Sequence, residues 1–385
     1  MRWIEIGAWG IIVLWGRAFF PACYGILFPR FLKDVPPITG EDLPTISIIV
    51  PARDEVSAIE ESLEHLLKVC YPRLEVIAID DRSTDETGVI MDRMAAFHDS
   101  RLKVIHVTEL PAGWLGKNHA LALGAAESNA DFLLLTDGDV MIDPLTLRRA
   151  MSVVHDRKLD HLVLLPEIVT STFLEIALIN FFCLLLMTTT QFPLVRWSWF
   201  KNAYLGVGAF NLVRRTAYDA IGGFSKLQLE VADDLMLGRS IKHAGLLQDV
   251  YGGQKNVWVK WQQGGVWSIV KGLEKNAFAA SRYSMFRTLL ACITILGISV
   301  VPIGALACGV AVWQSSILIV GTVLLSLGTA RTVGFPLAVG FLYPWAAVVF
   351  CYIMTRSMVL TIRQGGVRWR DTFYSLNDLR NGCEK

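Results

Sequence analysis

Asp137 and Asp139 stand one residue apart at the end of the apolar run Phe132-Leu133-Leu134-Leu135. In an extended segment residues i and i+2 share a face, so both carboxylates can meet one hard cation. Oxygen donors in this pattern suit Mg2+ or Mn2+ shared with the diphosphate of a substrate. Gly138 between them has no Cβ, which lets a sugar or substrate backbone come close. Taken alone, the motif would read first as a polar turn after a strand. It does not stand alone. Arg53 and Glu55 follow the run Ile46–Val50 and Pro51, and Asp80-Asp81 follow Leu74–Ile79. Lys117 opens an apolar-periodic segment, where a cation opposes the helix dipole and is explained by the negative charge of a diphosphate. An exposed lysine in a first turn is the other reading.

Those groups share one edge only if the apolar runs are strands of one sheet. Ile46–Val50 is β-branched and ends at Pro51, as a buried parallel strand would. Ser57 precedes Ile59, Leu63, Leu66 and Leu67 at helical spacing. Leu74–Ile79 is the next strand, and Ser83-Thr84-Asp85-Glu86 opens a helix with acidic residues in its first turn. Leu102–Val107 is a third strand, Lys117–Ser128 a helix and Phe132–Leu135 a fourth strand. The alternation predicts an α/β fold with a mainly parallel, Rossmann-like sheet. In such sheets ligands bind beyond the carboxyl ends of the strands.

With 53% hydrophobic and 18% charged residues, the chain of 385 departs from an average soluble domain. The apolar excess lies at the ends. Ile4–Phe28 is apolar apart from Glu5 and Arg17 and is long enough to span a bilayer. Arg17 is costly there, so a tilted or interfacial helix is an alternative, and a cleaved signal peptide is a third. Arg30 and Lys33 after the segment place the following domain in the cytoplasm. Leu289–Trp313 reads as a span, Ile317–Thr329 as a short second one interrupted by Arg331 and Pro336, and Pro336–Ile362 as a third. Three full spans would put the basic tail (Arg363, Arg368, Arg370, Arg380) outside, so one segment is expected to be re-entrant or interfacial. Glu175 and Asn180 inside the apolar stretch Phe173–Leu194 suggest a half-buried interfacial helix that could admit a lipid. The expected organisation is an anchor at 1–30, a linker at 31–43, a catalytic domain at 44–285, transmembrane helices at 286–362 and a basic tail at 363–385. A net charge of +1 leaves no electrostatic footprint for nucleic acid. The seven cysteines have no metal-type spacing and read as small hydrophobes in a reducing compartment.

Four motifs in order over about Leu43–Ser281 resemble the inverting family 2 glycosyltransferases of the GT-A fold. Pro51-Ala52-Arg53-Asp54-Glu55 is similar to the family's first nucleotide-binding loop, and Asp80 to Asp85 to its second. Asp137-Gly138-Asp139 resembles its metal motif, and Ala232-Asp233-Asp234 resembles the acidic pair containing the catalytic base, with Asp233 where Glu is usual. The resemblance implies that Asp81 holds the nucleotide base, that Asp234 is the general base, and that Gly206 to Asn211 face the donor sugar. A β-bulge would explain the glycines of that loop nearly as well. Gly113-Trp114-Leu115-Gly116-Lys117-Asn118-His119-Ala120 is similar to a segment of bacterial carotenoid and hopanoid-associated glycosyltransferases. Gly366-Val367-Arg368-Trp369-Arg370 resembles the ending of diaponeurosporenoate glycosyltransferases.

The resemblance implies transfer of one sugar from a nucleotide-diphosphate sugar, of the UDP type, to a lipid in the cell membrane, with Mg2+ or Mn2+. A processive polysaccharide synthase would carry Gln-x-x-Arg-Trp, and Gln263-Gly264-Gly265-Val266-Trp267 lacks the Arg. Trp267 could stack on sugar or acceptor or anchor at the membrane interface. A scaffold without catalysis would be expected to have lost some of Asp81, Asp139 and Asp234, and all are present.

Overall fold

The computed structural model describes residues 2–97, 101–170, 172–260, 264–274, 276–369 and 372–383. Two compact units are built from interleaved segments: Arg30–Val169 with Val195–Trp261, and Met1–Pro29 with Thr170–Leu194 and Gln262–Glu384. The residues expected as a linker belong to the first unit, where Leu32 is fully buried and the Ile38 amide donates to the Arg148 carbonyl at 3.1 Å. Residues 170–194 and 262–285, expected within the catalytic domain, group instead with the apolar helices.

The first unit is organised by strands β1 (Ile46–Ala52), β2 (Leu74–Asp81), β3 (Leu102–Val107), β4 (Phe132–Leu135), β5 (Val140–Ile142), β6 (His161–Leu165), β7 (Glu167–Ile168), β8 (Asn211–Arg214), β9 (Gln248–Gly252) and β10 (Val257–Val259). Seven of them form one sheet in the order β3-β2-β1-β4-β8-β6-β9. β1 runs parallel to β2 and β4, and β2 to β3, as the alternation of elements predicts. β8 is antiparallel to both β4 and β6, which makes the sheet mixed. A smaller sheet, β5-β10-β7, lies downstream of the Asp137-Gly138-Asp139 turn.

The period of two along each strand sorts the core. Ile48, Val50, Val76, Ala78, Leu134 and Leu212 face one layer, with helices Ile59–Leu67 and Thr146–Arg157. Ile49, Ile77, Ile79, Leu133, Leu135 and Val213 face the other, covered by helices Gly116–Glu127 and Asp233–His243. Burial on both faces explains why these strands read as unbroken apolar runs. Chain order reverses between β1 and β4, so the crevice beyond their carboxyl ends is the place where this topology receives ligands.

The second unit holds helices Arg2–Leu27, Phe173–Thr190, Met285–Ser299, Val301–Ala307, Val312–Val333 and Tyr343–Gln364. Among the described residues, five segments are long and apolar enough to cross a membrane. Two expected spans need new boundaries. The run read as Leu289–Trp313 breaks at Val300 and ends at Ala307, and Trp313 belongs to the next helix. The segment read as short runs unbroken for 22 residues, with Arg331 in its last turn and Gly334 at φ 91° closing it. Glu175 and Asn180 of Phe173–Thr190 both find hydrogen-bond partners inside the unit. Glu175 completes a capping box with Thr172 and accepts from the Gly265 amide at 2.6 Å, and the Asn180 amide donates to the Ser326 carbonyl at 3.2 Å.

Candidate active site

Beyond Leu135 the backbone is seized from both sides. The Thr136 amide donates to the Ile49 carbonyl at 3.2 Å, and its hydroxyl donates to the Ala209 carbonyl at 2.8 Å. The Asp137 amide then donates to the Gly208 carbonyl at 2.9 Å. Gly138 lies against the end of β1, where an added Cβ would sit 3.2 Å from the Pro51 carbonyl oxygen. The glycine therefore accommodates protein packing at the strand end. Asp139 comes to lie near Glu55 and Asp137. Burial, followed by the charges of Asp137 and Glu55, pushes its carboxyl up to about 6.

The acidic pair arrives from the start of helix Asp233–His243. Gly206 and Gly208 make that approach possible. An added Cβ at Gly206 would stand 1.7 Å from the Asp234 carbonyl oxygen, and one at Gly208 would stand 2.3 Å from Asp137 Oδ2. Close backbone approach was the expectation for this loop, and at Gly206 the neighbour is the Asp234 backbone. The Gly208 amide donates to Asp234 Oδ2 at 2.7 Å while its carbonyl holds the Asp137 amide. One glycine thus couples two acidic motifs 97 positions apart in sequence (137 and 234). The Leu235 amide donates to Asp234 Oδ1 at 2.7 Å.

Lys117 lies between these carboxylates, its Nζ 2.7 Å from Asp137 Oδ1 and 3.5 Å from Asp233 Oδ1. Its expected place was on a diphosphate; in the structure it bridges two acidic side chains. Burial opposes its charge, but Asp137, Asp233 and Asp234 outweigh that and hold the ammonium protonated. Burial raises both Asp233 and Asp234, each against the pull of Lys117. Lys117, Asp137, Asp233, Asp234, Leu121 and Phe224 line a small cavity. Asn118, quoted within its motif but given no role in the sequence, ties down the loop leading to the acidic pair. Its amide donates to the carbonyls of Leu227 at 2.5 Å and Glu230 at 2.9 Å. The signal was its place beside Lys117, but only the fold shows what it reaches.

The two expected nucleotide loops are knitted together. Asp54 Oδ1 accepts from the Thr84 amide at 2.7 Å, the Ser83 hydroxyl accepts from the Asp54 amide at 3.1 Å, and the Thr87 hydroxyl accepts from the Glu55 amide at 2.8 Å. Asp54 and Arg82 both adopt positive φ, 51° and 58°, to make these turns. Arg53 Nε lies 3.9 Å from Asp54 Oδ2. Arg82 donates to Asp81 through Nε at 2.8 Å, and the Asp81 carboxylate abuts Gly116, whose added Cβ would stand 2.1 Å away. Asp80 instead pairs with His106 at 2.9 Å, a structural role consistent with its place one residue earlier. Trp267 belongs to the apolar-helix unit, where the Arg356 guanidinium lies 5.2 Å from its ring centroid. Gln263 and Arg370, which figured in two sequence motifs, lie outside the described residues.

Among the described residues no group of three or more His, Cys, Asp or Glu side chains forms a metal cage. Asp137 and Asp139 do fit Mg2+ or Mn2+ as one or two carboxylate donors, the remaining positions falling to substrate phosphate and water. The raised Asp139 carboxyl marks a place where added positive charge is favourable.

The fold and this acidic strand edge are matched in the comparisons with known proteins: residues 47–222 match the Glycosyl transferase family 2 model. It is 28% identical over 201 residues to the probable glycosyltransferase YdaM of Bacillus subtilis, covering 51% of this chain and 47% of that one. It is 26% identical over 241 residues to the 4,4'-diaponeurosporenoate glycosyltransferase of Staphylococcus haemolyticus, covering 62% of each. A beta-monoglucosyldiacylglycerol synthase of Nostoc is 26% identical over 245 residues, 61% of this chain and 49% of the synthase. The chain thus spans less than two thirds of the length of these relatives. In fold it matches the mannosyltransferase PcManGT of Pyrobaculum calidifontis, solved with GDP-Man and Mn2+, with a TM-score of 0.52 at 18% identity over 91% of this chain and 99% of that one.

Proposed function

We propose that this protein moves a single sugar, with inversion, from a UDP-type nucleotide sugar to a lipid acceptor in the membrane. The observation that carries the reading is the convergence of Asp137, Lys117, Asp233 and Asp234, coupled through Gly208, at the carboxyl edge where β1 and β4 diverge. Two relatives are named for 4,4'-diaponeurosporenoate and for a monoglucosyldiacylglycerol, which supports an apolar acceptor. Five segments apolar enough to span a bilayer support a site held at a membrane.

In this reading Pro51, Arg53, Glu55 and Asp81 receive the nucleotide along the β1 and β2 ends. Asp137 and Asp139 hold a divalent cation, which supplies positive charge to the leaving diphosphate when bound. The acceptor oxygen attacks the anomeric carbon, the carbon–oxygen bond to the diphosphate breaks, and the bonding pair leaves with the diphosphate. Asp234 takes the hydroxyl proton. Each of its oxygens already accepts one backbone N–H and keeps a second lone pair for that proton. Burial raises its proton affinity toward what a base near neutral pH requires. Lys117 offsets the acidic cluster, so the arriving diphosphate meets less repulsion. Asp233 fixes Lys117 in place.

Membranes containing the protein, incubated with labelled UDP-sugars, are expected to yield one monoglycosylated lipid and no ladder of longer products. Water-soluble polymer would instead establish a processive synthase, and absence of turnover with every donor would establish a scaffold.

The Asp139 carboxyl gives a pH dependence with a definite sign. Its folded value, about 6, exceeds its ordinary 3.8, so the fold binds the proton more tightly than the open chain. The protonated group costs nothing below the lower value. Stability falls as pH rises between the two, and the full cost stands above about 6. A cation must displace that proton, so Mn2+ affinity is expected to fall about tenfold from pH 7 to pH 5. The accompanying rise in melting temperature on adding Mn2+ should be larger at pH 7. Titration calorimetry and thermal melts at both pH values check this, and equal affinity would remove Asp139 from the ligand set.

A further inference from the structure

We propose that the chain crosses the bilayer three times, at Arg2–Leu27, at Met285–Ala307 and at Val312–Val333, while Phe173–Thr190 and Leu337–Gln364 enter and leave on the side of the catalytic sheet. The argument is one of parity. Helix Phe173–Thr190 is inserted between β6 and β8, which are hydrogen-bonded neighbours in one sheet. A single crossing would place these strands on opposite faces of the membrane. The stretch from Gln191 to β8 contains only the three-residue turn Phe192–Leu194 and cannot return across. The helix therefore does not cross, however apolar it is.

The same reasoning fixes the other segments. Helix Arg2–Leu27 ends beside Arg30, whose guanidinium grips Asp249 of β9 at 2.6 and 2.7 Å, so its carboxyl end is on the sheet side. Helix Val312–Val333 runs parallel to it. Gly321 packs against Trp15 and Gly328 against Ile26, in ascending order on both helices. Val333 is thus on the sheet side as well. Among the described residues between β10 and Tyr283, the helices have 9 and 4 residues, too short to cross. Tyr283 remains on the sheet side, and Met285–Ala307 must cross outward to meet the start of Val312–Val333.

The tail closes the count. Arg380 donates to the Tyr283 carbonyl at 3.1 Å, and the Leu376 amide donates to the Gly365 carbonyl at 2.9 Å. Gly365 and Tyr283 therefore share a side, and Leu337–Gln364, starting and ending there, crosses an even number of times. Arg331, Arg363, Arg368 and Arg380 all fall on the sheet side, whereas the outer side carries Arg2 and Glu5 at the start of the first helix and no charge in the turn at 308–311. That distribution is the one positive-inside bias favours for a cytoplasmic sheet. The basic tail expected outside for three C-terminal spans is accounted for by two.

Native cysteines make the test direct. Cys70 on the sheet domain and Cys308 in the outer turn are both exposed. Full-length variants keeping one of these cysteines, and a third carrying Asn377→Cys alone, are expressed in a bacterial inner membrane. Each is treated with a membrane-impermeant maleimide in spheroplasts, in inverted vesicles and in detergent. The expected result is that Cys70 and Asn377→Cys label from one face and Cys308 from the other. Asn377→Cys labelling with Cys308 would restore three C-terminal crossings and overturn the proposal. So would Cys308 labelling with Cys70, or Cys308 reacting in detergent alone. The pattern does not depend on which sugar or acceptor the protein uses.

Discussion

Asp234→Asn is expected to lower transfer to a hydroxyl acceptor by about 10²- to 10⁴-fold, the range lost when a positioned general base is removed. Donor binding should persist, since the Asp137 and Asp139 carboxylates and both nucleotide loops are untouched. The substitution also has a stability signature. Amides of Gly208 and Leu235 donate to the two Asp234 oxygens, and the asparagine amide offers only one acceptor. One half-buried N–H is left facing a donor, at a cost of about 1 kcal/mol, the low end for an unsatisfied group. Thermal melts in detergent, donor titrations and initial rates on the same preparation separate these effects. Loss of nucleotide affinity with turnover near wild type would make Asp234 a binding residue. A carboxylate acceptor needs no deprotonation at neutral pH, so the variant should retain much of its rate on such a substrate.

Asp139→Ala should reduce transfer on the order of 10³-fold, because a charge-neutralising cation at the diphosphate contributes several kcal/mol to the barrier. Metal-dependent donor binding should disappear with it. The fold should not suffer. Burial with Asp137 and Glu55 disfavours the ionised Asp139, so its removal relieves repulsion at neutral pH. A metal-free melting temperature equal to or above wild type, together with lost Mn2+ response, is the expected pair of results. Full activity in the variant, or wild-type activity in excess chelator, would remove the metal from the reaction.

The four leading strands, their parallel pairing and the shared acidic edge were legible in the sequence, because buried strands announce themselves as β-branched runs and their ends as polar turns. The motif order also pointed to the family whose model matches residues 47–222. The antiparallel β8 was not legible, since four residues without a turn signature carry no direction. Nor was the partnership of Lys117 with Asp137 and Asp233. A lysine's position in sequence limits its reach but does not choose among the carboxylates that folding brings within it. Gly208 is the sharpest instance. Its lack of a Cβ is plain in the sequence, but that a side chain there would strike the Asp137 carboxylate depends on two loops meeting across the sheet. Membrane crossings divide in the same way. Hydropathy is local and marks every segment able to span, whereas the crossings proposed above rest on where the segment ends are tied, at Arg30 to Asp249 and at Arg380 to Tyr283.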